Sequence, residues 1–285
     1  MPARKPKSTV QTVTVKPRPG EIIKPGELID VFELVPLSLS ARRSFNLLIL
    51  NAWESITEDR DHAISKADLR GAHDSNDRLA DTIRALMACI VEIETERDGK
   101  KVTRRVQLLG SNDEEHDEYG MLHYNFPKQL RGIIKNSTVY GRLRRDVMLA
   151  LRSRYALPLY EMIQKRGGLK HKTTETFSTA ELRKLLGVPA GTYPLFADFW
   201  KRCVAPAVAE VNALSDYAVV AERVRVGRQF TGVTIAWAKK DTDELKDAFA
   251  ELQRPKVGRK ARIAGTVERA EPAQLDMEEV KHRRQ

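Results

Sequence analysis

Apolar positions recur along this chain first with a helical and then with an alternating period, and they do so twice. In the later round, Ser178 and Glu181 have capping-box spacing, Leu182, Leu185 and Leu186 give one apolar side, and Gly187 can close the helix in the left-handed conformation. A longer helical pattern follows from Pro194, which fits a first turn where a missing backbone donor costs nothing, with Thr192 as candidate cap. On this helix Phe196, Phe199, Trp200, Cys203, Val204, Ala207, Val211 and Leu214 share one arc and face a core, while Asp198, Lys201, Arg202, Ala205, Ala209 and Asn212 lie opposite. Pro206 falls inside it, deleting a hydrogen bond and crowding the carbonyl of Arg202, so the helix is expected to kink there or to divide in two. Residues 217–226 and 229–237 then alternate as strands around Gly227-Arg228, a two-residue II′ link. That register pairs Val226 with Gln229, Val224 with Thr231 and Val220 with Ile235, and it places Val220, Val224, Val233, Ile235 and Trp237 on one face. Helix, turn, helix and hairpin in this order make a winged helix, with the hairpin tip as its wing.

The earlier round has the same order. Residues 40–53 form a capped helix with Phe45, Leu48, Ile49, Ala52 and Trp53 inward; residues 64–70 read as a short strand running into a short helix. A longer helix over 75–88 turns Leu79, Ile83, Leu86 and Met87 inward, and strands at 90–96 and 102–109 join through Arg97-Asp-Gly-Lys100, with a third at 121–126. The expected fold class is α+β, two tandem winged-helix domains at 28–150 and 151–240. Residues 1–27, with Arg4, Lys5, Lys7, Lys16, Arg18 and Lys24 scattered among prolines, read as a disordered basic arm. Residues 241–285 read as one helix near 242–252 and a disordered tail. A long helical pattern over 143–164, interrupted at Pro158, joins the halves, and 165–175 is a polar connector.

Composition narrows what such modules do. The chain has 285 residues, 41% hydrophobic and 31% charged, enough for two cores. Its net charge of +10 and pI near 9.6 imply an anionic partner. No uncharged apolar run approaches a membrane span and the N-terminus lacks the apolar core of a signal peptide, so a cytoplasmic protein without a membrane partner is expected. Cys89 and Cys203 fall at apolar helical positions and read as buried thiols. The acids around His116, residues 112–118, have no metal-ligand spacing and read as a solvated loop. There is no P-loop, HExxH, CxxC or His-x-His, so no metal, cofactor or catalytic residue is expected, and Tyr140, Tyr155 and Tyr160 read as packing residues.

The face opposite the apolar arc is small in its middle and basic at its flanks, which suits a DNA groove. Candidate DNA-binding residues are Asp198, Lys201, Arg202 and Ala205 on that helix, Arg183 and Lys184 on the helix before it, and Arg225 and Arg228 on the wing. In the first domain Lys66, Arg70, Arg78 and Arg84 are candidate phosphate contacts.

Ser153-Arg-Tyr-Ala-Leu-Pro-Leu-Tyr-Glu161 resembles the Ser-Lys-Tyr-Ala-x-x-Leu-Tyr-Glu signature of the Rep_3 family of plasmid replication initiators, with Arg154 in place of the usual Lys. The resemblance continues through Phe177, Leu182, Leu185-Leu186-Gly187, Tyr193, Phe196, Phe199, Pro206-Ala207, Glu210-Val211-Asn212 and Gly227-Arg228, and in the first half through Phe45-Asn46. It implies a protein that binds repeated origin sites, iterons, on double-stranded DNA, loads host replication proteins such as helicase and initiator after local melting, and interconverts between monomer and homodimer, the dimer often repressing its own promoter. By themselves the residues imply sequence-specific DNA binding without catalysis, which a plain transcriptional repressor would share.

Overall fold

The computed structural model describes residues 10–70, 76–97, 99–117, 119–169 and 172–266, the side chains of residues 70, 76–78 and 97 excepted. The first half opens with β1 (Glu21–Pro25) and β2 (Phe32–Glu33), then α1 (Leu39–Ala52), β3 (His62–Ser65), α2 (Lys66–Arg70) and α3 (Asn76–Ala88). The hairpin β4 (Ile90–Arg97) and β5 (Lys100–Gln107) follows, then β6 (Asn112–Glu114), β7 (Met121–Tyr124), α4 (Lys128–Asn136) and β8 (Tyr140–Arg144). After α5 (Arg145–Ala150) and α6 (Ala156–Gly167) the second half runs β9 (Thr174–Ser178), α7 (Thr179–Leu185), α8 (Phe196–Phe199), a π-helical turn (Trp200–Val204), α9 (Ala205–Leu214), β10 (Tyr217–Val226) and β11 (Gln229–Lys239). Two further helices, α10 (Thr242–Gln253) and α11 (Arg259–Ile263), complete it. Each half is a winged helix, α1–α3 with β4–β5 and α7–α9 with β10–β11.

Order begins before residue 28. β1 pairs antiparallel with β8, Glu21 opposite Arg144, because Ile22 and Ile23 bury fully against the first core. Only the part of the basic arm before residue 10 lies outside the described residues. At the other end, the expected tail from residue 254 contains α11, and the rest of it, from 267, lies outside the described residues. Capping follows side-chain reach: Ser38, rather than Ser40, accepts from Ala41 to start α1, Ser178 accepts from Glu181 to start α7, and Asp241 with Glu244 closes a capping box on α10.

The joint between the halves also differs from the expected pattern. Pro158 does not interrupt a helix; it is the third residue of α6, where a backbone donor has no partner to lose. The break lies at residues 151–155, where the backbone turns extended at Leu151 and the amides of Arg152 and Ser153 donate to the Glu210 carboxylate at 2.6 and 2.8 Å. Helix α6 is then buried on all sides from Ala156 to Gln164, packed on β8 of one half and on α9 and β11 of the other. A helix buried on every side is an interior helix; the polar Glu161 and Gln164 of α6 are paired within the fold, and its apolar residues join the two cores into one continuous cluster.

The last sheet has the order β10-β11-β9. Val226 pairs with Gln229 as expected, but a bulge between Val224 and Arg225 moves the rest by one residue, so Val224 lies opposite Gly232 and Val220 opposite Ala236. A one-residue slip exchanges the faces of a strand. Tyr217 and Val219 are therefore the buried residues of β10, beside Val233, Ile235 and Trp237 of β11, and Val220 is exposed.

Candidate nucleic-acid interface

The corner between α7 and α8 sets the direction of the following helix. Gly187 takes φ +64 at the end of α7, and Tyr193 lies at φ 54, the sole non-glycine residue with positive φ among the described residues. Such a tyrosine needs outside support. Arg183 supplies it: its guanidinium donates to the carbonyl of Thr192 at 2.8 Å and to that of Tyr193, and lies 4.5 Å from the centroid of the Phe199 ring. Arg183 is thus a brace for the corner rather than a free phosphate contact. Lys184, also expected at DNA, sits with its ammonium over the Phe32 ring of the first half, 5.5 Å from the centroid.

From α8 to α9 the backbone stays helical without dividing, and Pro206 is accommodated by the π-helical turn before it. There Ala205 donates to the carbonyl of Trp200, five residues back, and the widened turn takes up the space and the missing donor that a proline requires. Lys201 and Arg202 project to solvent from this turn, with Ala205 half-buried beside them and Asp198 one turn earlier. Arg202 and Asp198 form an exposed ion pair at 3.5 Å, an interaction weak enough to give way to a phosphate. No ion pair engages Lys201 among the described residues.

The wing is fixed to this helix through aromatic rings. Phe230 stacks on Phe196 at 4.8 Å, and Phe196 stacks on Trp200 at 6.4 Å. Arg223 lies 4.7 Å from the Trp200 centroid and Arg225 5.7 Å from that of Phe230. At the tip Gly227 has φ 59 while Arg228 is not left-handed, the pattern of a II′ turn, and Arg228 is exposed. Lys201, Arg202, Arg223 and Arg225 therefore form one exposed cationic face, with Arg228 exposed at the hairpin tip. Arg223 was missed in the sequence, although it sits two residues from Arg225 on the same strand.

The first half contributes less than its sequence promises. Lys66 is buried: it pairs with Glu114 at 2.9 Å and donates to the carbonyls of Glu115 and Asp117, so it anchors the acidic loop and cannot reach a phosphate. Arg84 is exposed and pairs at the surface with Asp81 at 2.9 Å. The side chains of Arg70 and Arg78 lie outside the described residues. Lys100 and Lys101, exposed at the start of β5, are cations of this first wing that the sequence reading passed over.

No group of His, Cys, Asp and Glu among the described residues could hold a metal ion, and no helix among them is long and apolar enough to cross a membrane. Both thiols are buried, and burial pushes Cys89 up to about 12 and Cys203 upward as well, so neither is an activated nucleophile. Tyr160 is fully buried, and its hydroxyl accepts from the amide of Arg144 at 2.8 Å.

Two winged helices sharing a buried helix, the second with an exposed cationic helix face and wing, define a tandem winged-helix protein of the DNA-binding class. Residues 21–164 match the initiator replication protein domain WH1 and residues 178–237 the initiator Rep protein domain WH2, and the chain belongs to this family of replication initiators. Among solved structures it is similar to the Pi initiator protein in complex with iteron DNA, with 17% identity and a TM-score of 0.53, covering 78% of this chain and 98% of that one. A match to domains 2 and 3 of RctB has 9% identity and a TM-score of 0.44, covering 71% of this chain and 83% of that one. The comparison with curated proteins gives no match.

Proposed function

We propose that this protein is a plasmid replication initiator that binds iterons, directly repeated sites on double-stranded origin DNA, and promotes origin opening. The observation that carries this is the recognition helix itself, with Lys201 and Arg202 exposed about small residues and a ring-braced wing bearing Arg223, Arg225 and Arg228 beside it. Family membership and the likeness to an initiator held on iteron DNA support the same reading. The second winged helix reads bases; the first clamps backbone through Arg84, Lys100 and Lys101. Loading of host helicase and initiator, exchange between monomer and homodimer, and repression of its own promoter complete the proposal, which places the protein in the bacterial cytoplasm with its plasmid.

The test is a footprint on the DNA flanking the coding region, paired with Lys201→Ala and Arg202→Ala. Evenly spaced direct repeats are expected, and each substitution should weaken specific binding by about 1 to 3 kcal/mol. A lone inverted repeat would mean a repressor instead. Unchanged titrations for both variants would take this helix out of the interface.

A further inference from the structure

The helices beyond the second wing lie outside both family-matched segments, and one carboxylate ties them to each other. Glu251 of α10 receives Arg254 at 3.4 Å, Arg259 at 3.2 Å and Arg262 at 2.7 Å. Arg259, only 1% exposed, also donates to the carbonyls of Glu251, Leu252 and Arg254, and to that of Ala150 at the end of α5. A buried guanidinium with all these acceptors is a rigid anchor. It holds the five-residue α11 alongside the recognition helix, and a cleft of about 1310 Å³ opens between them.

The cleft's make-up points to its ligand. Lys201, Ala205 and Ala209 form one wall, Lys260 and Ala264 the other, and Arg152 lies at its end. The lining is largely apolar, with Trp200, Pro206 and Ile263 beside these small residues, and cations edge it. The one carboxylate that lines it, Glu210, is buried and already accepts the amides of Arg152 and Ser153. Arg254, Arg259 and Arg262 are all held by Glu251, but Lys260 is exposed and has no ion-pair partner among the described residues. Arg152 donates to the carbonyl of Lys256 at 3.1 Å and is otherwise exposed.

We propose that this cleft seats one phosphodiester strand of duplex DNA at the edge of the major groove, with Lys260 of α11 as a phosphate contact in the same cleft that Lys201 and the wing's Arg223 line. It rests on the DNA-facing reading of that helix and extends it: α11 adds a cation to the cleft that Lys201, Arg202 and Arg223 already line. A phosphate contact adds affinity without sequence preference and adds to the salt dependence of binding.

The experiment uses the full chain with Lys260→Ala, Lys260→Glu and Lys260→Arg, and a random-sequence duplex of about 30 base pairs titrated across KCl concentrations. Lys260→Ala should lower affinity about five-fold and reduce the slope of log affinity against log salt by about 0.9; Lys260→Glu should lower affinity further, and Lys260→Arg should restore both. Thermal melting should not change, because the side chain is exposed. Wild-type affinity and slope for Lys260→Glu would overturn the proposal. Lys201→Ala and the Lys260 variants, measured also on a duplex carrying the footprinted repeat, separate the two readings: if Lys201→Ala weakens binding there while the Lys260 variants do not, only the cleft contact is wrong, and if none of them has an effect, the DNA-facing reading of the helix falls too.

Discussion

Glu161 sits where the two halves meet, with a side chain only 1% exposed, and one of its oxygens accepts the Lys24 ammonium at 2.8 Å while the other accepts the Asn46 amide at 2.6 Å. Burial outweighs this carboxylate in its effect on Lys24, whose pKa is lowered, so the ammonium depends on Glu161 to stay charged inside the fold. Glu161→Ala would strand that cation, and we expect a loss of about 3 to 5 kcal/mol in urea unfolding. The double variant Lys24→Met with Glu161→Leu should recover most of it, since an apolar pair of similar volume has no charge to desolvate. Equal losses in the single and double variants would show that the pair does not act as a unit. Other residues of the family signature are structural in the same way: Tyr160 receives the amide of Arg144, and Glu210 caps the broken chain at Arg152 and Ser153. Asn212 both donates to and accepts from the backbone of Val219, tying α9 to β10.

At the scale of elements, the helical run from α8 to α9 and the last sheet each carry one irregularity with a cause. The π-helical turn before Pro206 keeps α8 and α9 in one helical course, so the exposed residues on either side of the proline stay on one surface. In the sheet, Gly232 faces the bulged end of β10, and a Cβ added there would lie 2.3 Å from the carbonyl oxygen of Phe177 in β9. Glycine at that point permits the close approach of two backbones. Gly232→Ala should push β9 away from β11 and destabilise the second half by about 2 to 3 kcal/mol, read as a lowered melting temperature. An unchanged melting temperature would mean that β9 moves aside at no cost.

Across the whole molecule, Arg166 at the end of α6 pairs with Asp30 of the first half at 2.8 Å and with Glu175 of β9 in the second, and Lys165 joins Asp30 at 2.7 Å. Burial would raise the pKa of Asp30, but Lys165 and Arg166 together outweigh it and hold the carboxyl below its ordinary 3.8. A carboxyl whose folded pKa is depressed adds stability that is complete above its unfolded pKa and is lost as pH falls through the folded one. Asp30→Asn should therefore cost about 2 kcal/mol at neutral pH, a figure reduced for partial exposure, and the gap from wild type should shrink as pH drops below about 4. A gap independent of pH down to acid unfolding would assign the loss to packing rather than charge.

Local patterns were enough to place the modules, because the periods of helix and strand, the caps at Ser178 and Gly187 and the Gly227-Arg228 turn act over a few residues. They also placed Lys201, Arg202, Arg225 and Arg228 on exposed elements. What they could not decide was which cations are free. Lys66 and Arg183 look like surface charges in sequence, but their partners, Glu114 and the carbonyls of Thr192 and Tyr193, are brought to them by folding. The register of β10 turned on a bulge that no alternation predicts, and the place of α11 on an Arg259 anchor reaching over a hundred residues back to Ala150. Sequence determines what a residue can do within a turn or two of chain; whether a charge is buried, paired or left facing solvent is decided by what tertiary packing sets against it.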